Sequence, residues 1–84
     1  MPNDFKNLSN EEQRDFEFLR VRRLGQLAAL LIEERGLNFS TAFSELYNSK
    51  TYEKLSNPQT GLYFQSPRYI YDYLEHELNT GEIN

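Results

Sequence analysis

The 84-residue chain contains no cysteine and a single histidine, His76. Disulfide bonds and thiolate metal sites are therefore excluded, and so is a metal site built from several histidines. Acidic side chains outnumber basic ones, 13 to 9, which gives a formal net charge of -4. This balance disfavours a general binder of nucleic acid or of anionic membranes, because phosphate groups are bound by clustered Lys and Arg. No catalytic or metal-binding motif stands out, so we expect a protein that is not an enzyme and has no cofactor.

Two further absences concern membranes. Residues 1–6 lack the basic start and the apolar centre of a signal peptide. The apolar stretch at residues 24–32 is far shorter than the roughly 20 residues that span a bilayer. We therefore expect a cytoplasmic protein that does not bind membranes, and no motif suggests a small-molecule substrate.

What the chain does have is an unusually apolar helix. Residues 24–32 read Leu-Gly-Gln-Leu-Ala-Ala-Leu-Leu-Ile. Gly36 follows, and glycine commonly ends a helix by adopting the left-handed backbone conformation. Ser9 and Glu12 have the spacing of a capping box, so the first helix is predicted from about Asn10 to Arg35.

Projected at 100° per residue, the apolar side chains of this helix form one stripe and two flanks. The stripe contains Leu24, Leu27, Ala28 and Leu31, one flank contains Phe16, Leu19 and Leu30, and the other contains Phe18, Val21 and Ile32. A helix that is apolar around most of its circumference must be covered on more than one side. Because so little chain remains to cover residues 24–32, a second molecule is expected to bury part of this apolar surface.

Shorter helices follow the long one. Asn38 is a good N-cap for a helix that ends near Asn48, and residues 50–55 can add another turn or two. The sequence Asn-Pro-Gln-Thr-Gly at 57–61 predicts a turn. Residues 62–64 are expected to be an extended segment laid over the core.

The last helix is predicted to begin with Ser66 as its cap and Pro67 at its first position, and to end near Asn79. The fold class is therefore all-α, with one long N-terminal helix packed by two or three shorter helices. Residues 1–8 are expected to be a flexible tail, residues 9–79 a single helical domain, and residues 80–84 a frayed tail. The aromatic residues expected to meet the apolar stripe are Phe39, Phe43, Phe64 and Tyr73.

These features favour a non-catalytic module that binds protein. The predicted contact surface consists of side chains left exposed on the long helix and of tyrosines nearby: Leu19, Arg20, Arg23, Leu30, Tyr52, Tyr63 and Tyr71. Arginine and tyrosine are both suited to interfaces, although the two arginines can equally cover apolar surface with their stems. Among the tyrosines, we expect two inside the core, Tyr47 and Tyr73, and four at least partly outside, Tyr52, Tyr63, Tyr69 and Tyr71. The partner is either a second copy, giving a homodimer, or a different protein.

Two other classes of function stay open at this point. The first is a small nucleic-acid-binding regulator with a local basic face made of Arg20, Arg22, Arg23, Lys50, Lys54 and Arg68. The second is catalysis on the face of the last helix that carries Tyr69, Asp72 and His76, although pairs such as Asp72 and His76 are routine neighbours on helices. Glu75 and Glu77 point different ways around that helix and are expected to be solvated charges.

Three stretches in the second half of the chain resemble small helical bacterial proteins of unassigned function, common in gut bacteria. They are Ser-Lys-Thr-Tyr-Glu-Lys-Leu at 49–55, Thr-Gly-Leu-Tyr at 60–63, and Ser66-Pro67 leading into Tyr-Ile-Tyr-Asp-Tyr-Leu at 69–74. The resemblance covers residues 37–78, about half of the chain. It implies an accessory partner of another gene product, in the manner of an antitoxin, and it implies no activity or catalytic residue. The charged start of the long helix, residues 10–23, is not explained by it.

Overall fold

The computed structural model describes residues 9–81, so the tails predicted at 1–8 and 82–84 lie outside the described residues. Four α-helices form most of this part: α1 (Asn10–Arg35), α2 (Phe39–Tyr47), α3 (Lys50–Leu55) and α4 (Pro67–Thr80). Two 3₁₀ helices, Pro58–Thr60 and Leu62–Phe64, connect α3 to α4. No strand occurs between residues 9 and 81. The predicted fold class, all-α with one long helix packed by shorter ones, is confirmed.

Local signals in the sequence set the helix boundaries. The Ser9 hydroxyl accepts a hydrogen bond from the Glu12 N–H at 3.1 Å, and the Glu12 carboxylate accepts one from the Ser9 N–H at 3.1 Å. Gly36 ends α1 in the left-handed region, at φ 68°. α2 and α4 begin at the predicted side-chain caps, Asn38 and Ser66, and α3 begins at Ser49, whose hydroxyl accepts a hydrogen bond from the Tyr52 N–H. α4 ends at Thr80, one residue beyond the predicted end near Asn79, and Gly81 follows as its left-handed cap.

The core forms where α1 meets the other elements, and the predicted stripe lies at its centre. Leu27 and Leu31 have no exposed surface, and Leu24 and Ala28 are also buried. The buried side chains that surround the stripe are Phe16, Ala42, Leu46, Leu55, Leu62, Tyr63, Ile70, Tyr71 and Leu74. Burying each large apolar side chain contributes about 1.5–3 kcal/mol, so this cluster organises the fold around α1.

Residues 62–64 form a 3₁₀ helix, and the predicted extended conformation is wrong. Gly61 turns the chain at φ 68°, and the N–H groups of Phe64 and Gln65 then bond back to the carbonyls of Gly61 and Leu62. The segment does lie over the core as predicted, because Leu62 and Tyr63 are both buried.

Two of the four aromatic residues predicted to meet the stripe lie outside the core. Phe39 is 69% exposed and Phe64 is 68% exposed. Phe39 occupies the first position of α2, before the residues that face α1, and Phe64 follows two residues whose side chains already fill the inner side of the 3₁₀ helix. Phe43 and Tyr73 are half-buried and pack against the core, so Tyr73 lies at the edge of the core and not inside it.

Glu77 joins α4 to the start of α3. Its carboxylate accepts hydrogen bonds from the Lys50 N–H at 2.6 Å, the Thr51 N–H at 3.0 Å and the Thr51 hydroxyl at 2.8 Å. The expectation that Glu77 is a solvated charge is therefore wrong. The carboxylate satisfies donors that the first turn of a helix leaves unpaired, and its charge is favourable at that end of α3.

The apolar stretch at residues 24–32 is covered by its own chain. Among its large side chains, Leu30 and Ile32 are the least buried, and both pack against the core. The expectation that a second molecule must cover this stretch is therefore wrong. The helices α2 and α4 lie against α1 and bury it from more than one direction. The apolar side chains that α1 leaves in water come earlier in the helix, at Phe18 and Val21.

Candidate protein-binding surface

Phe18 and Val21 lie on the outward face of α1. Phe16 is the first buried residue of the helix and points into the core. Phe18 follows it by two positions, or about 200° around the helix axis, and Val21 lies one turn further on. Phe18 is 65% exposed and Val21 is 59% exposed. Because large apolar side chains gain free energy on leaving water, this face can contribute to binding.

A groove lies beside this outward face, between α1 and the second 3₁₀ helix. It has a volume of about 420 Å³, and its apolar lining consists of Phe18, Leu19, Tyr63 and Phe64. The Tyr63 ring meets the Phe16 ring edge to face, with centroids 4.7 Å apart, and the Phe64 ring lies 4.2 Å from that of Tyr63. These contacts hold Tyr63 as the floor of the groove, and Phe64 remains in water beside it.

Two carboxylates, Glu12 and Asp15, line the same groove, which we call the acid-edged groove. Hydrogen bonds from the Ser9 backbone and hydroxyl lower the pKa of Glu12 from its ordinary value of 4.5, so this carboxylate is ionised at neutral pH. Burial, with the nearby charges of Glu12 and Asp15, raises the pKa of the Tyr63 hydroxyl above its ordinary value of 10.0. The negative field of the carboxylates therefore reaches the floor of the groove.

A second groove, of about 400 Å³, lies on the other side of the outward face. Its lining comes from three helices: Arg20, Val21, Leu24 and Gly25 from α1, Phe43 and Tyr47 from α2, and Tyr52 from α3. Adjacent rings along its wall are in contact, with centroids 5.6 Å apart for Phe43 and Tyr47 and 5.0 Å apart for Tyr47 and Tyr52. We call this the aromatic groove. The two grooves and the outward face between them form what we call the α1 surface.

Four of the seven residues predicted as a contact surface line these grooves. Leu19 is half-buried in the acid-edged groove, where Tyr63 forms the floor. Arg20 and Tyr52 are half-buried in the aromatic groove. The Arg20 guanidinium pairs with Glu17 at 2.9 Å, which holds its stem along the apolar wall.

Arg23 and Leu30 lie away from both grooves. The Arg23 Nε donates a hydrogen bond to the Gln65 carbonyl at 2.9 Å, and its Nη1 donates one to the Gln26 side chain at 2.9 Å. Arg23 therefore ties the end of the second 3₁₀ helix to α1. Leu30 is half-buried against the core, so both residues act within the fold.

Tyr71 is fully buried, and the prediction that it is at least partly outside is wrong. It lies on the inward side of α4 with Ile70 and Leu74. The Arg68 guanidinium covers it from outside, 5.4 Å from the ring centroid, and is itself held by an ion pair with Glu34 of α1. A side chain enclosed in this way offers no surface to a partner.

The other tyrosines divide differently from the prediction. Tyr63 is 7% exposed, so its predicted exposure is wrong except for the edge that floors the acid-edged groove. Tyr47 is 49% exposed, and its predicted place in the core is wrong, because α2 buries Ala42 and Leu46 against α1 and turns Tyr47 outward. Tyr69 is 46% exposed, as expected.

Besides Tyr47, the exposed residues of the α1 surface that the sequence reasoning missed are Phe18, Val21 and Phe64. Phe18 and Val21 had been assigned to a flank of the apolar stripe. A signal was available for Phe18, because it lies next to the polar line of α1 that contains Asp15 and Arg22 and about 130° from the centre of the stripe. No comparable signal marks Phe64, because its exposure depends on how the 3₁₀ helix sits on α1.

Three of the six basic residues of the alternative nucleic-acid face make contacts within the fold. Arg20 pairs with Glu17, Arg68 pairs with Glu34, and Arg23 bonds within the fold. On α4, no hydrogen bond or ion pair joins Asp72 to His76 in the described part of the chain. Between residues 9 and 81, no group of three or more His, Asp or Glu side chains could hold a metal ion.

No protein-family model matches this chain, and no match is found among curated proteins or solved structures. The resemblance to small helical bacterial proteins therefore stays a prediction. In the described range, none of the helices combines the length and the apolar character needed to cross a membrane.

Proposed function

We propose that this protein is a non-catalytic protein-binding module and that its contact site is the α1 surface. The observation that carries the proposal is the exposure of Phe18 and Val21 on one face of α1, with an apolar groove on each side. Phe64 and Tyr47 extend this exposed apolar area into the two grooves. Contiguous apolar patches rimmed by polar groups are typical of sites where proteins associate.

The composition of the site supports the same function. Interfaces are enriched in aromatic residues and arginine at their centres, and the aromatic groove combines Phe43, Tyr47 and Tyr52 with Arg20. Contacts inside the fold hold the groove walls in place, through the ring contacts of Tyr63 and the ion pair of Arg20. A preformed surface loses less conformational entropy on binding than one that must be ordered first.

Photo-crosslinking in the cells that naturally make the protein tests this proposal. A photoreactive phenylalanine analogue is placed at Phe18, Val21 or Phe64 on the α1 surface. The same analogue at Gln59 and Asp72, two exposed positions outside it, is the matched control. We expect discrete protein adducts from the three surface positions and none from the controls. Equal labelling at all five positions, or no adduct at any of them, would contradict the proposal.

A further inference from the structure

We infer that the partner of the outward face of α1 is a second copy of this chain, bound with its own α1 antiparallel. This inference rests on the proposed function, because it names the partner of the same surface. It follows from the order in which α1 presents apolar and charged side chains to solvent.

The outward face carries opposite charges on either side of Phe18. Asp15 precedes Phe18 by three residues and Arg22 follows it by four, and both are exposed. Seven residues make nearly two turns, so Asp15 and Arg22 lie within about 20° of each other around the axis and about two turns apart along it. Neither makes a hydrogen bond or ion pair with any residue in the described range, and so both charges remain available to a partner.

An antiparallel pair of these helices matches the charges across the contact. The twofold axis of such a pair brings the same side of each helix together and reverses the residue order. If the axis passes beside Phe18 and Leu19, midway between the two charged positions, each Asp15 meets the partner copy's Arg22. The two Phe18 rings then meet near the axis, where both leave water. In a parallel pair, the twofold axis runs along the helices and places the Asp15 and Arg22 side of one helix against the Val21 side of the other, so neither charge meets its opposite.

The other side of the outward face allows a close approach. Val21 and Gly25 lie on the side of Phe18 away from Asp15 and Arg22. A Cβ added at Gly25 would have no heavy atom within 4 Å, so no side chain of the described fold stands in front of this position. A second helix can therefore approach the backbone of α1 there and cover Val21.

Charge reversal with measurement of mass in solution tests the inference. The wild-type chain, whose own mass is 10.0 kDa, is expected to have twice that mass in light scattering and sedimentation equilibrium. Asp15→Arg and Arg22→Asp each place like charges opposite one another at two symmetric positions. Each is expected to weaken self-association by about ten- to a hundredfold. The double variant D15R/R22D restores opposite charges in the antiparallel arrangement only, and it is expected to recover the dimer.

Glu33→Arg is the matched control, because it makes the same change of charge at another exposed position of α1. It is expected to leave the dimer intact, and circular dichroism checks that every variant remains folded. A wild-type chain that stays monomeric at high concentration would overturn the inference. So would a dimer that the single reversals do not weaken, or a double variant that stays monomeric while the wild type pairs.

The two proposals fail in distinguishable ways. Adducts with other proteins at Phe18, together with a monomeric wild type, would contradict the inference of a second copy and would still support the protein-binding function. A lack of any adduct at the surface positions would contradict the proposed protein-binding function itself. Adducts with the mass of two copies, lost in the single reversals and regained in the double variant, support both.

Discussion

Removing the Glu77 carboxylate should destabilise the fold strongly, even though this charged residue is not part of the hydrophobic core. The carboxylate receives three hydrogen bonds from the first turn of α3, at 2.6, 3.0 and 2.8 Å. Thr51 has no exposed surface, so in Glu77→Ala its N–H and hydroxyl lose their acceptor in a place where little water can replace it. A net hydrogen bond to a charged group contributes about 1.5–3 kcal/mol, and a buried donor left unpaired costs about 1–3 kcal/mol.

Because these contributions overlap, we expect Glu77→Ala to lower the free energy of unfolding by about 2–4 kcal/mol. That corresponds to a fall in Tm on the order of 10–20 °C for a domain of this size. Glu77→Gln keeps one carbonyl acceptor and should lose about half as much. Urea unfolding followed by far-ultraviolet circular dichroism measures all three chains.

Glu75→Ala is the matched control, because it removes the same side chain two residues earlier, where no hydrogen bond or ion pair is made with the described residues. Its expected effect is within about 0.5 kcal/mol of zero. If Glu77→Ala unfolds at the same urea concentration as Glu75→Ala, the tertiary cap contributes nothing and the reasoning fails. Since α3 carries Tyr52, loss of the cap should also disturb the aromatic groove.

Three further predictions use the same chain. Gly25→Ala should raise the free energy of unfolding by about 0.5–1 kcal/mol, because the position is helical and open. Gly36→Ala should lower the free energy of unfolding by about 1 kcal/mol, because φ is 68° there. Changes of the same sign for both variants in urea unfolding would contradict this prediction. The pKa of Glu12 is lowered in the folded state, so its ionised form stabilises the fold above pH 4.5, and this stabilisation is lost as the pH falls through the folded pKa. The Tm of Glu12→Gln should therefore lie below that of the wild type at neutral pH and equal it in acid. A difference in Tm that stays constant with pH would contradict this prediction. Arg23→Ala should cost about 1 kcal/mol by removing the bond to the Gln65 carbonyl and should leave the mass in solution unchanged; a change of mass would return Arg23 to the contact surface.

The helix boundaries could be predicted because their causes lie within a few residues of one another. Ser9 and Glu12 are three residues apart, and Gly36 adopts the left-handed conformation that glycine reaches without steric cost. The stripe of α1 could be predicted for a similar reason, since the helical period alone places Leu27 and Leu31 on one side. These signals fixed the fold class without any knowledge of the neighbours.

The candidate site was less predictable, because exposure depends on which element packs opposite a side chain. Tyr71 resembles the other tyrosines of α4 in sequence, and it is buried because it lies on the inward side of α4, with the Arg68 guanidinium over its ring. Phe64 remains in water because the 3₁₀ helix turns Leu62 and Tyr63 inward instead. Glu77 could not be recognised as a cap, because its partners are 26 and 27 residues away in the chain.

By itself, then, the amino-acid sequence determined where helices begin and end and which side of α1 is apolar, since backbone capping and helical periodicity act over short distances. Only the tertiary structure decided which apolar side chains remain exposed to solvent. Packing depends on the relative placement of distant segments, and that placement left Phe18 and Val21 facing outward between two grooves.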